Sequence, residues 1–470
     1  MGSTGGAGNG VITAPRLAFD VTFLLRRHFM RPTGIDRVQL EIVSELVEAD
    51  EQTAQFVQFV QFDEQQGLFE VVSPSTVRAR AVAMRGSADA SPAGDAKHGP
   101  TTGRSSAGAV ARVVRAFRRL SPSPSVTRHA RLAAGHARRS AQELVRAARE
   151  VLAAVSKRRR PSTAACASAQ WTEATTLVSL GMDFARYAPY LAERRTERGF
   201  RVCLVVYDLI PIVRPQYATI EFETFILKIL DLSDEILVIS EATRRDLEAF
   251  AAQHERSLPS VRLLPLGSAL RDLVPSCPPA LAGHADVSSS EGFVLFVSTL
   301  TLRKNHHLLF DVWETLLQGQ GRAGTPRLVI AGQRGSLSTE VQSRLDRTPE
   351  FVDVVFHVEE ATDAEIAWLY ANCTFTVYPS LYEGWGLPVS ESHDFAKVCL
   401  ASDRASLPEA AEGLAELLDP FDRSIWKERI MHYWTSEPAR HALEAEIASR
   451  HVRVSARQTT DTILDLSGVR

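Results

Sequence analysis

The residues best suited to chemistry lie in one stretch near the C-terminus, Tyr378-Pro-Ser-Leu-Tyr-Glu-Gly-Trp-Gly-Leu-Pro-Val-Ser-Glu391. We expect a buried strand to end at Pro379 and a helix to begin at Pro388, because proline suits the first turn of a helix. Between them, Gly384 and Gly386 allow the backbone to approach a ligand closely. The N–H groups at the start of the helix attract an anion such as phosphate.

Two carboxylates flank this expected phosphate pocket, Glu383 on the loop and Glu391 in the first helical turn. Carboxylates repel phosphate, so their natural partners are hydroxyl groups, and a nucleotide sugar carries sugar and ribose hydroxyls around one diphosphate. In the alternative interpretation, Glu391 only stabilises the start of the helix and Glu383 is a solvated turn residue. We favour a ligand site because two carboxylates, two glycines and a proline coincide in one strand-to-helix turn.

Short apolar runs that alternate with helical patterns predict the elements that position this loop. Amphipathic patterns at 307–317 and 363–370 lie between such runs, as in the βαβ units of a parallel sheet covered on both faces. The first half shows the same alternation, so we expect an α/β protein with two doubly wound, Rossmann-like domains in tandem. The predicted strands are 17–24, 56–62, 176–180, 202–207, 235–240, 261–266, 293–298, 327–332, 354–357, 375–378 and 398–401.

The composition of the chain predicts where the domains divide. The Pro-, Ser- and Gly-rich segment 276–290 is typical of a linker, so we expect an N-terminal domain over 1–282 and a C-terminal domain over 283–440. Residues 441–470 are predicted to be a helical segment that crosses back to the first domain. Residues 74–163, rich in Ala, Ser, Gly and Arg, are interpreted as an insert in the first domain rather than as a third domain.

Positive charge is concentrated in the insert. The 470 residues include 53 Lys and Arg and 56 Asp and Glu, a net charge of −3 that does not indicate nucleic acid binding. Residues 104–160 alone hold 15 basic and 2 acidic side chains. We consider two interpretations: a solvated, partly disordered insert without function, or basic amphipathic helices at 109–120 and 138–155 that bind anionic lipid headgroups. Few aromatic residues lie among the arginines, which argues against nucleic acid as a partner.

Cysteine usage and hydropathy indicate the compartment. The five cysteines are odd in number and form no Cys-x-x-Cys pair, which is typical of reduced thiols and argues against a zinc site. No run of 18 apolar residues suggests a membrane span, and the N-terminus does not resemble a signal peptide. We therefore expect a cytoplasmic protein, peripheral to the inner face of the membrane if the basic insert binds lipid.

These motifs and several others resemble one enzyme family. The segment EGWGLPVSE (383–391) matches the E-x7-E signature of retaining family 4 (group 1) glycosyltransferases with the GT-B fold, in which two Rossmann-like domains face a cleft. The first half is similar to the branch that includes mannosyltransferases of bacterial surface polysaccharides, in RPTGIDRVQLE (31–41), VYDLIPIVRPQY (206–217) and LSDEILVISEATRRDLEAF (232–250). Further similar segments are LFVSTLTLRKNHHLL (295–309), LVIAGQRG (328–335), EIAWLYANCTFTVYPS (365–380) and ASDRASLPEAAEG (401–413).

The resemblance implies roles for the residues of the glycine-containing turn. Glu391 corresponds to the residue that binds the ribose hydroxyls of the donor, and Glu383 to the one that faces the donor sugar near the reaction centre. Backbone N–H groups in the turn would contact the sugar or the diphosphate. The donor-binding residues expected there are Gly384, Trp385, Gly386 and Leu387.

The resemblance also implies a cationic diphosphate site. Lys304 stands where the family carries its diphosphate-binding lysine, whereas Thr299 replaces the usual arginine five positions earlier and is expected to line the donor site. Arg303 is expected to supply the second charge, because fixed cations stabilise a leaving diphosphate without a metal. Outside this context, Arg303 and Lys304 would be interpreted as an ordinary exposed pair.

Two residues of the first half are assigned to the cleft. Gly34 follows the first strand and precedes a helix, where glycine permits a close approach to a ligand; an ordinary strand–helix turn is the alternative. Asp208 ends the strand 202–207, a position that points into the cleft. Asp208 would either assist the acceptor hydroxyl, as a further catalytic candidate, or cap the following turn. The branch often carries a histidine before this aspartate, where the present chain has Tyr207.

The implied activity is transfer of a hexose from a nucleoside diphosphate sugar to a hydroxyl of a growing glycan, with retention of configuration. In this family, retention is assigned to same-face attack in which the leaving diphosphate takes the proton of the acceptor. We expect no cofactor and no metal, since no Asp-x-Asp motif follows a strand. GDP-mannose is our first choice of donor, with UDP-sugars open. The expected acceptor is a glycan or lipid-linked glycan of polysaccharide or lipopolysaccharide synthesis.

Two alternatives from other functional classes stay open on the sequence. An epimerase of nucleotide-linked amino sugars would use the same fold, although EGWGLPVSE and the TGIDRV loop resemble the transferase branch. A non-catalytic scaffold would keep the nucleotide pocket and bind partners through the basic insert. Formation of an epimer from the donor would identify the epimerase, and glycan assembly that is insensitive to Glu383→Ala would identify the scaffold.

Overall fold

The computed structural model of the protein describes residues 15–26, 34–89, 169, 171–181, 184–217, 222–279, 281, 292–335, 338–466 and 468. These residues belong to one compact unit. The predicted insert is described only at its beginning, where residues 74–89 form a helix. Both basic segments predicted within the insert, 109–120 and 138–155, and most of the predicted linker 276–290 lie outside the described residues.

The first sheet is formed by strands from the N-terminal half of the described chain. Its strands are β1 (Leu17–Asp20), β2 (Val57–Asp63), β3 (Leu68–Val72), β4 (Thr176–Ser179), β5 (Arg201–Val206), β6 (Glu235–Val238) and β7 (Ser260–Leu263). They lie in the order β3-β2-β1-β4-β5-β6-β7, and only the edge pair β2–β3 is antiparallel. The helices are α1 (Thr22–Arg26), α2 (Gly34–Val47), α3 (Glu51–Ala54), α4 (Pro74–Asp89), α5 (Phe184–Arg198), α6 (Ile210–Val213), α7 (Glu223–Leu232) and α8 (Glu241–Gln253).

The second sheet is parallel throughout its described strands. These are β8 (Val294–Val297), β9 (Leu328–Ala331), β10 (Val355–Val358), β11 (Phe375–Tyr378), β12 (Cys399–Ser402) and β13 (Glu416–Leu418), in the order β10-β9-β8-β11-β12-β13. The helices are α9 (His306–Gly324), α10 (Thr339–Arg347), α11 (Asp363–Asn372), α12 (Leu387–Asp394), α13 (Leu407–Ala411), α14 (Arg423–Thr435), α15 (Glu437–Arg450) and α16 (Ala456–Leu466). Two doubly wound sheets confirm the predicted α/β class.

Each sheet is covered on both faces, which explains why its strands are continuous apolar runs. Neighbouring residues of β1 point to opposite faces, so Ala18 and Phe19 enter two different hydrophobic cores. In the second sheet, Val294 and Leu295 are likewise divided between two cores. All four side chains are fully buried. Burial on both faces therefore accounts for the uninterrupted hydrophobicity on which the strand predictions were based.

Several predicted boundaries were wrong for local reasons. The first strand ends at Asp20 rather than at residue 24, because the Asp20 carboxylate accepts a hydrogen bond from the N–H of Thr22 and α1 begins there. Strands β3 and β13 were not predicted at all. Glu70 interrupts the apolar residues of β3, and β13 has only three residues, so neither forms the longer apolar run that marked the other strands.

The end of the described chain returns to the first sheet. Helix α16 packs against α2, and its apolar residues Ile463, Leu464 and Leu466 enter the core that covers β1. The segment before α16 passes close to Gly267, where a Cβ would lie 2.5 Å from the carbonyl carbon of Ser455. The chain segments around Gly267 and around Ser455 are thus in direct contact.

Two further properties concern the chain as a whole. Cys203, Cys277, Cys373 and Cys399 are free thiols, and Cys166 lies outside the described residues. Within the described ranges, none of the helices combines the length and the apolar character needed to cross a bilayer.

A candidate active site between the two sheets

A cavity of about 400 Å³ opens at the carboxyl ends of strands from both sheets. The first sheet contributes Tyr207 and Asp208, which follow β5, and the second contributes residues after β8, β9, β10 and β11. Ligands of open α/β sheets bind at this edge. Of the predicted site residues, the structure brings ten together in the lining: Gly34, Asp208, Thr299, Arg303, Lys304, Glu383, Gly384, Trp385, Gly386 and Leu387.

The turn between β11 and α12 requires both of its glycines, for different reasons. Gly386 has φ +111° and precedes the first helical residue, a conformation that side chains disfavour. At Gly384, a Cβ would lie far inside van der Waals contact with the carbonyl oxygen of Tyr207. Glycine at position 384 therefore allows the turn to approach the first sheet, a role beyond the predicted approach of a ligand.

Glu383 lies at the centre of a buried cluster of charged and hydroxyl groups. Its Oε2 is 2.7 Å from Nη1 of Arg303, and its Oε1 is 2.6 Å from Nζ of Lys304. The same Oε1 accepts hydrogen bonds from Oγ of Ser380 at 2.5 Å and from the hydroxyl of Tyr378 at 3.1 Å. With only 9% of its side chain exposed, the carboxylate is held in place from two strand ends.

The 3-10 turn Leu302–Lys304 fixes the two cations in this cluster. The next residue, Asn305, adopts the left-handed conformation at φ +60°, and its side-chain amide donates to the carbonyls of Pro379 and Pro420. Asparagine tolerates this conformation better than most residues. Asn305 thereby ties the cationic turn after β8 to the loop after β11 that carries Glu383.

The electrostatics of the cluster keep Glu383 ionised. Burial opposes ionisation, but the charges and hydrogen bonds of Arg303 and Lys304 outweigh it and lower the pKa of Glu383 to about 2. Burial lowers the pKa of Lys304 to about 8, although Glu383 favours its charged form. An ammonium group with this pKa is charged at neutral pH and loses its proton in the mildly alkaline range.

Asp208 lies beside this cluster and also caps its own turn. Its Oδ1 accepts a hydrogen bond of 2.9 Å from the N–H of Ile210, which confirms the capping interpretation. The carboxyl also lines the cavity, and burial raises its pKa, partly offset by that hydrogen bond and by Arg303. Asp208 is therefore a structural cap whose side chain faces the charged groups of the second sheet.

Glu391 is the one predicted site residue that does not line the cavity within the described ranges. It is 1% exposed and lies in the second turn of α12, not in the first as predicted, because the helix begins at Leu387. Its Oε1 is 2.5 Å from Nη2 of Arg37 and 3.3 Å from Oγ of Ser268, and Oε2 accepts from Tyr370 at 2.9 Å. Arg37, which does line the cavity, lies over Glu391.

Gly34 begins α2 at the rim of the cavity. A Cβ at this position would meet only the Cδ1 of Leu387 at 3.5 Å, an ordinary contact. The close approach that we predicted for Gly34 is therefore not required by the protein itself. Ile35 and Arg37, in the first turn of the same helix, also line the cavity.

Sequence reasoning missed several residues of the site. Tyr378 and Ser380 lie in the quoted motif but were not singled out, although both donate hydrogen bonds to Glu383. Arg37 also lies in a quoted motif, and only its contact with Glu391, 354 positions away, reveals its part in the site. The far end of the cavity, over β9 and β10, adds polar side chains that no local pattern indicated, namely Gln333, Glu359 and Asp363.

This geometry can bind an anionic ligand and orient its hydroxyl groups. Two cations lie where the backbone enters α12, and a helix N-terminus adds partial positive charge. One permanently ionised carboxylate, Glu383, can accept hydrogen bonds from a ligand that displaces its present partners. The lining also extends to residues after β9 and β10, and a volume of about 400 Å³ can hold more than a single anion.

Comparison with known proteins finds similarity in the second half of the chain. Residues 285–450 match the family Glycosyl transferases group 1. The serotype-specific mannosyltransferase WbdA of Escherichia coli is 26% identical over 206 residues, covering 41% of this chain and 25% of the relative. The O-antigen chain mannosyltransferase B of Escherichia coli is 31% identical over 133 residues, covering 28% and 34%. The matches thus span a quarter to a third of the length of these relatives.

Comparison with solved structures identifies the architecture. The apo structure of OtsA superposes with a TM-score of 0.50 over 63% of this chain and 73% of that one, at 16% identity. Together with the two Rossmann-like sheets that face each other across the cavity, this similarity confirms the predicted GT-B fold.

Proposed function

We propose that this protein, whose residues 285–450 form a group 1 glycosyltransferase domain, transfers a hexose from a nucleoside diphosphate sugar to a hydroxyl of a glycan. The observation that carries the proposal is the buried Glu383, held between Arg303 and Lys304 where the two sheets meet. This arrangement supplies cations for a diphosphate and a carboxylate for sugar hydroxyls within one cavity. We further propose that the reaction retains the configuration of the sugar and needs no metal or cofactor.

Donor binding would change the hydrogen-bond partners of Glu383, Arg303 and Lys304. A diphosphate attracts Arg303 and Lys304, which now neutralise Glu383. As these cations turn toward phosphate oxygens, the carboxylate of Glu383 is freed to accept hydrogen bonds from hydroxyls of the donor sugar. The cations then stabilise the negative charge that develops on the leaving diphosphate.

The acceptor would enter from the side of the first sheet. Asp208 and Tyr207 line the cavity opposite the cationic turn, so an acceptor hydroxyl bound there lies near the donor sugar. Attack on the same face as the departing diphosphate lets the diphosphate take the proton of that hydroxyl. Positioning by the two domains and stabilisation of the leaving group then supply most of the catalysis.

Binding of the ribose by Glu391 requires a rearrangement. In the structure, Arg37 lies between this carboxylate and the cavity, and both oxygens of Glu391 are already hydrogen-bonded. Arg37 is also 3.4 Å from Asp363, which lines the cavity. We propose that Arg37 turns toward Asp363 when the donor binds, so that Glu391 becomes accessible to the ribose hydroxyls.

The donor that we propose is GDP-mannose. Both relatives described above are mannosyltransferases. The carboxylate of Glu359, which lines the cavity after β10, suits the N–H groups on one edge of guanine better than the carbonyl edge of uracil. The acceptor that we propose is a glycan or lipid-linked glycan of polysaccharide or lipopolysaccharide synthesis, with the basic insert directed at anionic lipid.

Activity of the purified protein tests this proposal. We expect release of GDP and formation of a mannosylated product from GDP-mannose and a mannose-terminated oligosaccharide, followed by mass spectrometry. Glu383→Gln should lower the transfer rate by at least about 100-fold, because the amide loses the charge that orients the sugar. Glu428→Gln, an exposed position on α14, is the matched control.

Two results would contradict the proposal. Wild-type activity in Glu383→Gln would remove the central carboxylate from the mechanism. Conversion of the donor to an epimer, without transfer, would identify an isomerase instead. Thermal unfolding in the presence of GDP, UDP and ADP at equal concentration tests the donor separately, since the tightest ligand gives the largest stabilisation.

A further inference from the structure

We infer that Glu409 is a positioning residue that docks the two domains: its carboxylate caps helix α8 of the first domain and so sets the turn with Glu383 against Asp208. Glu409 lies on α13, which follows β12 in the second sheet, and it does not line the cavity. Its effect on transfer rests on the proposed function, whereas its effect on domain docking does not.

The contact is a bidentate cap of a helix by a residue of the other domain. Oε2 of Glu409 accepts from the N–H of Glu241 at 2.6 Å, and Oε1 accepts from the N–H of Ala242 at 2.8 Å. These are the first two residues of α8, whose N–H groups have no partner within the helix. Charge-assisted hydrogen bonds at a helix N-terminus are among the stronger ones in proteins.

A residue of the first domain caps the rest of the helix N-terminus. Ser240, the N-cap of α8, accepts from the N–H of Thr243 at 2.9 Å and so satisfies the third helical residue. Within the part of the chain that the structure describes, the N–H groups of Glu241 and Ala242 are satisfied by Glu409. Arg245, one turn along α8, lies 3.6 Å from the same carboxylate and adds an opposite charge. The start of α8 is thus complete only when the second domain is docked.

The short helix that carries Glu409 also holds the glycine-containing turn. Ser406, at the start of α13, donates to the carbonyl of Glu383 at 2.9 Å and to that of Trp385 at 2.7 Å. Ser406 and Glu409 are three residues apart, so one helix joins the turn to the first domain. A shift of α13 away from α8 would therefore carry the backbone of Glu383 with it.

The docked turn makes its own contacts with the first sheet. The hydroxyl of Thr243 on α8 lies 3.3 Å from the carbonyls of both Tyr207 and Gly384, and Tyr382 donates to Asp246 at 2.7 Å. These contacts are single hydrogen bonds between neutral groups or to one carboxylate oxygen. Glu409 supplies two hydrogen bonds and a charge, so we expect its loss to weaken docking more than the loss of any other contact in this set.

Loss of the Glu409 cap should affect sugar transfer more than donor binding. Arg303, Lys304 and Glu383 all belong to the second domain, so donor binding should survive when the domains separate. Asp208 and the expected acceptor side belong to the first domain. Removal of Glu409 should therefore reduce the rate of transfer while the affinity for nucleoside diphosphate stays close to that of the wild type.

Three measurements on the full chain test this inference with Glu409→Ala, Glu409→Gln and the control Glu428→Ala. Small-angle X-ray scattering should show a larger radius of gyration for Glu409→Ala without ligand, and calorimetry with GDP should give a dissociation constant within about threefold of wild type. The transfer rate at saturating donor should fall by about 10- to 100-fold, the effect of losing a charged bidentate contact. Glu409→Gln keeps one acceptor oxygen, so its transfer rate should lie between those of the wild type and of Glu409→Ala.

The outcomes separate the inference from the proposed function. If Glu409→Ala changes neither the radius of gyration nor the transfer rate, Glu409 does not dock the domains. The same conclusion follows if Glu409→Gln loses GDP binding while its scattering stays that of the wild type. If the wild type transfers no sugar, the proposed function fails, but scattering and GDP binding still decide whether Glu409 docks the domains. A changed radius of gyration in Glu428→Ala would also contradict the inference, because the effect would then not be specific to the cap.

Discussion

At the level of single residues, the site combines groups whose charges depend on one another. Glu383 has a pKa of about 2 because two cations lie against it, and Lys304 has a pKa of about 8 because it is buried beside Arg303. Buried ion pairs often add little to stability, since desolvation offsets their attraction. We interpret this one as a prepared binding site, in which an incoming diphosphate replaces the carboxylate as the partner of the cations.

Lys304 makes nucleotide binding dependent on pH. The charged ammonium binds the diphosphate, so affinity for GDP should be constant below about pH 8 and fall up to tenfold per unit above it. Lys304→Arg should abolish this decline, because the guanidinium stays charged throughout the range. Calorimetric titrations between pH 6.5 and about 9.5 provide the measurement. An identical decline in Lys304→Arg would show that another group is responsible.

At the level of secondary structure, the turn between β11 and α12 shows how a motif serves two purposes. Gly386 gives the turn its left-handed entry into the helix, and Gly384 lets it touch the backbone of the other domain. The same short segment therefore forms the ligand site and the contact between domains. This dual role explains why the glycine positions and the glutamates occur together in so few residues.

Substitution of Gly384 tests the contact between domains. Gly384→Ala places a Cβ against the carbonyl oxygen of Tyr207, so we expect the turn to move and transfer to fall by at least about 30-fold, a loss comparable to a displaced catalytic group. Gly319→Ala is the matched control, since no atom lies within 4 Å of its Cβ and alanine favours the helix α9. The measurements are transfer rates and thermal unfolding. Equal behaviour of the two variants would contradict the packing argument.

At the level of the whole molecule, the return of the chain to the first domain is fixed by ionisable groups. His451, which follows α15, lies 2.8 Å from Asp394 through Nε2 and 3.2 Å from Glu412 through Nδ1. The hydrogen bond to Asp394 is the largest cause of its raised pKa. The ring of the buried His393 lies 5.6 Å from that of His451, and burial lowers the pKa of His393 to about 4.

These two histidines predict opposite effects of pH on stability. A raised pKa in the folded state means that the contribution of His451 is complete below about pH 6.5 and is lost as the pH rises through the folded value. The depressed pKa of His393 makes stability fall as the pH drops from about 6.5 to about 4. His451→Gln should remove the slope above about pH 6.5 and make the slope below it shallower, because the charge of His451 helps to lower the pKa of His393; thermal unfolding across this range measures both. Retention of that slope would exclude His451 as its source.

Elements of the fold could be predicted where a run of neighbouring residues in the sequence carries the signal for a strand. Strand β9 is a continuous apolar run, because a parallel sheet covered on both faces buries every residue of such a strand. Strands β3 and β13 carry no such signal, since Glu70 interrupts the apolar residues of β3 and β13 has only three residues. Short apolar runs therefore identified the interior of both sheets and the edge strands β7 and β10, but missed the edge strands β3 and β13.

The site, too, was predictable from the sequence only in part. The sequence alone determined which chemical groups stand at strand ends, because glycine, proline, glutamate and lysine act through local conformation and charge at those positions. Only the tertiary structure decided that Arg37 covers Glu391, that Gly384 meets Tyr207 and that Glu409 caps α8. Each of these contacts joins residues more than 160 positions apart. Such pairs depend on how two packed domains meet, which no local propensity encodes.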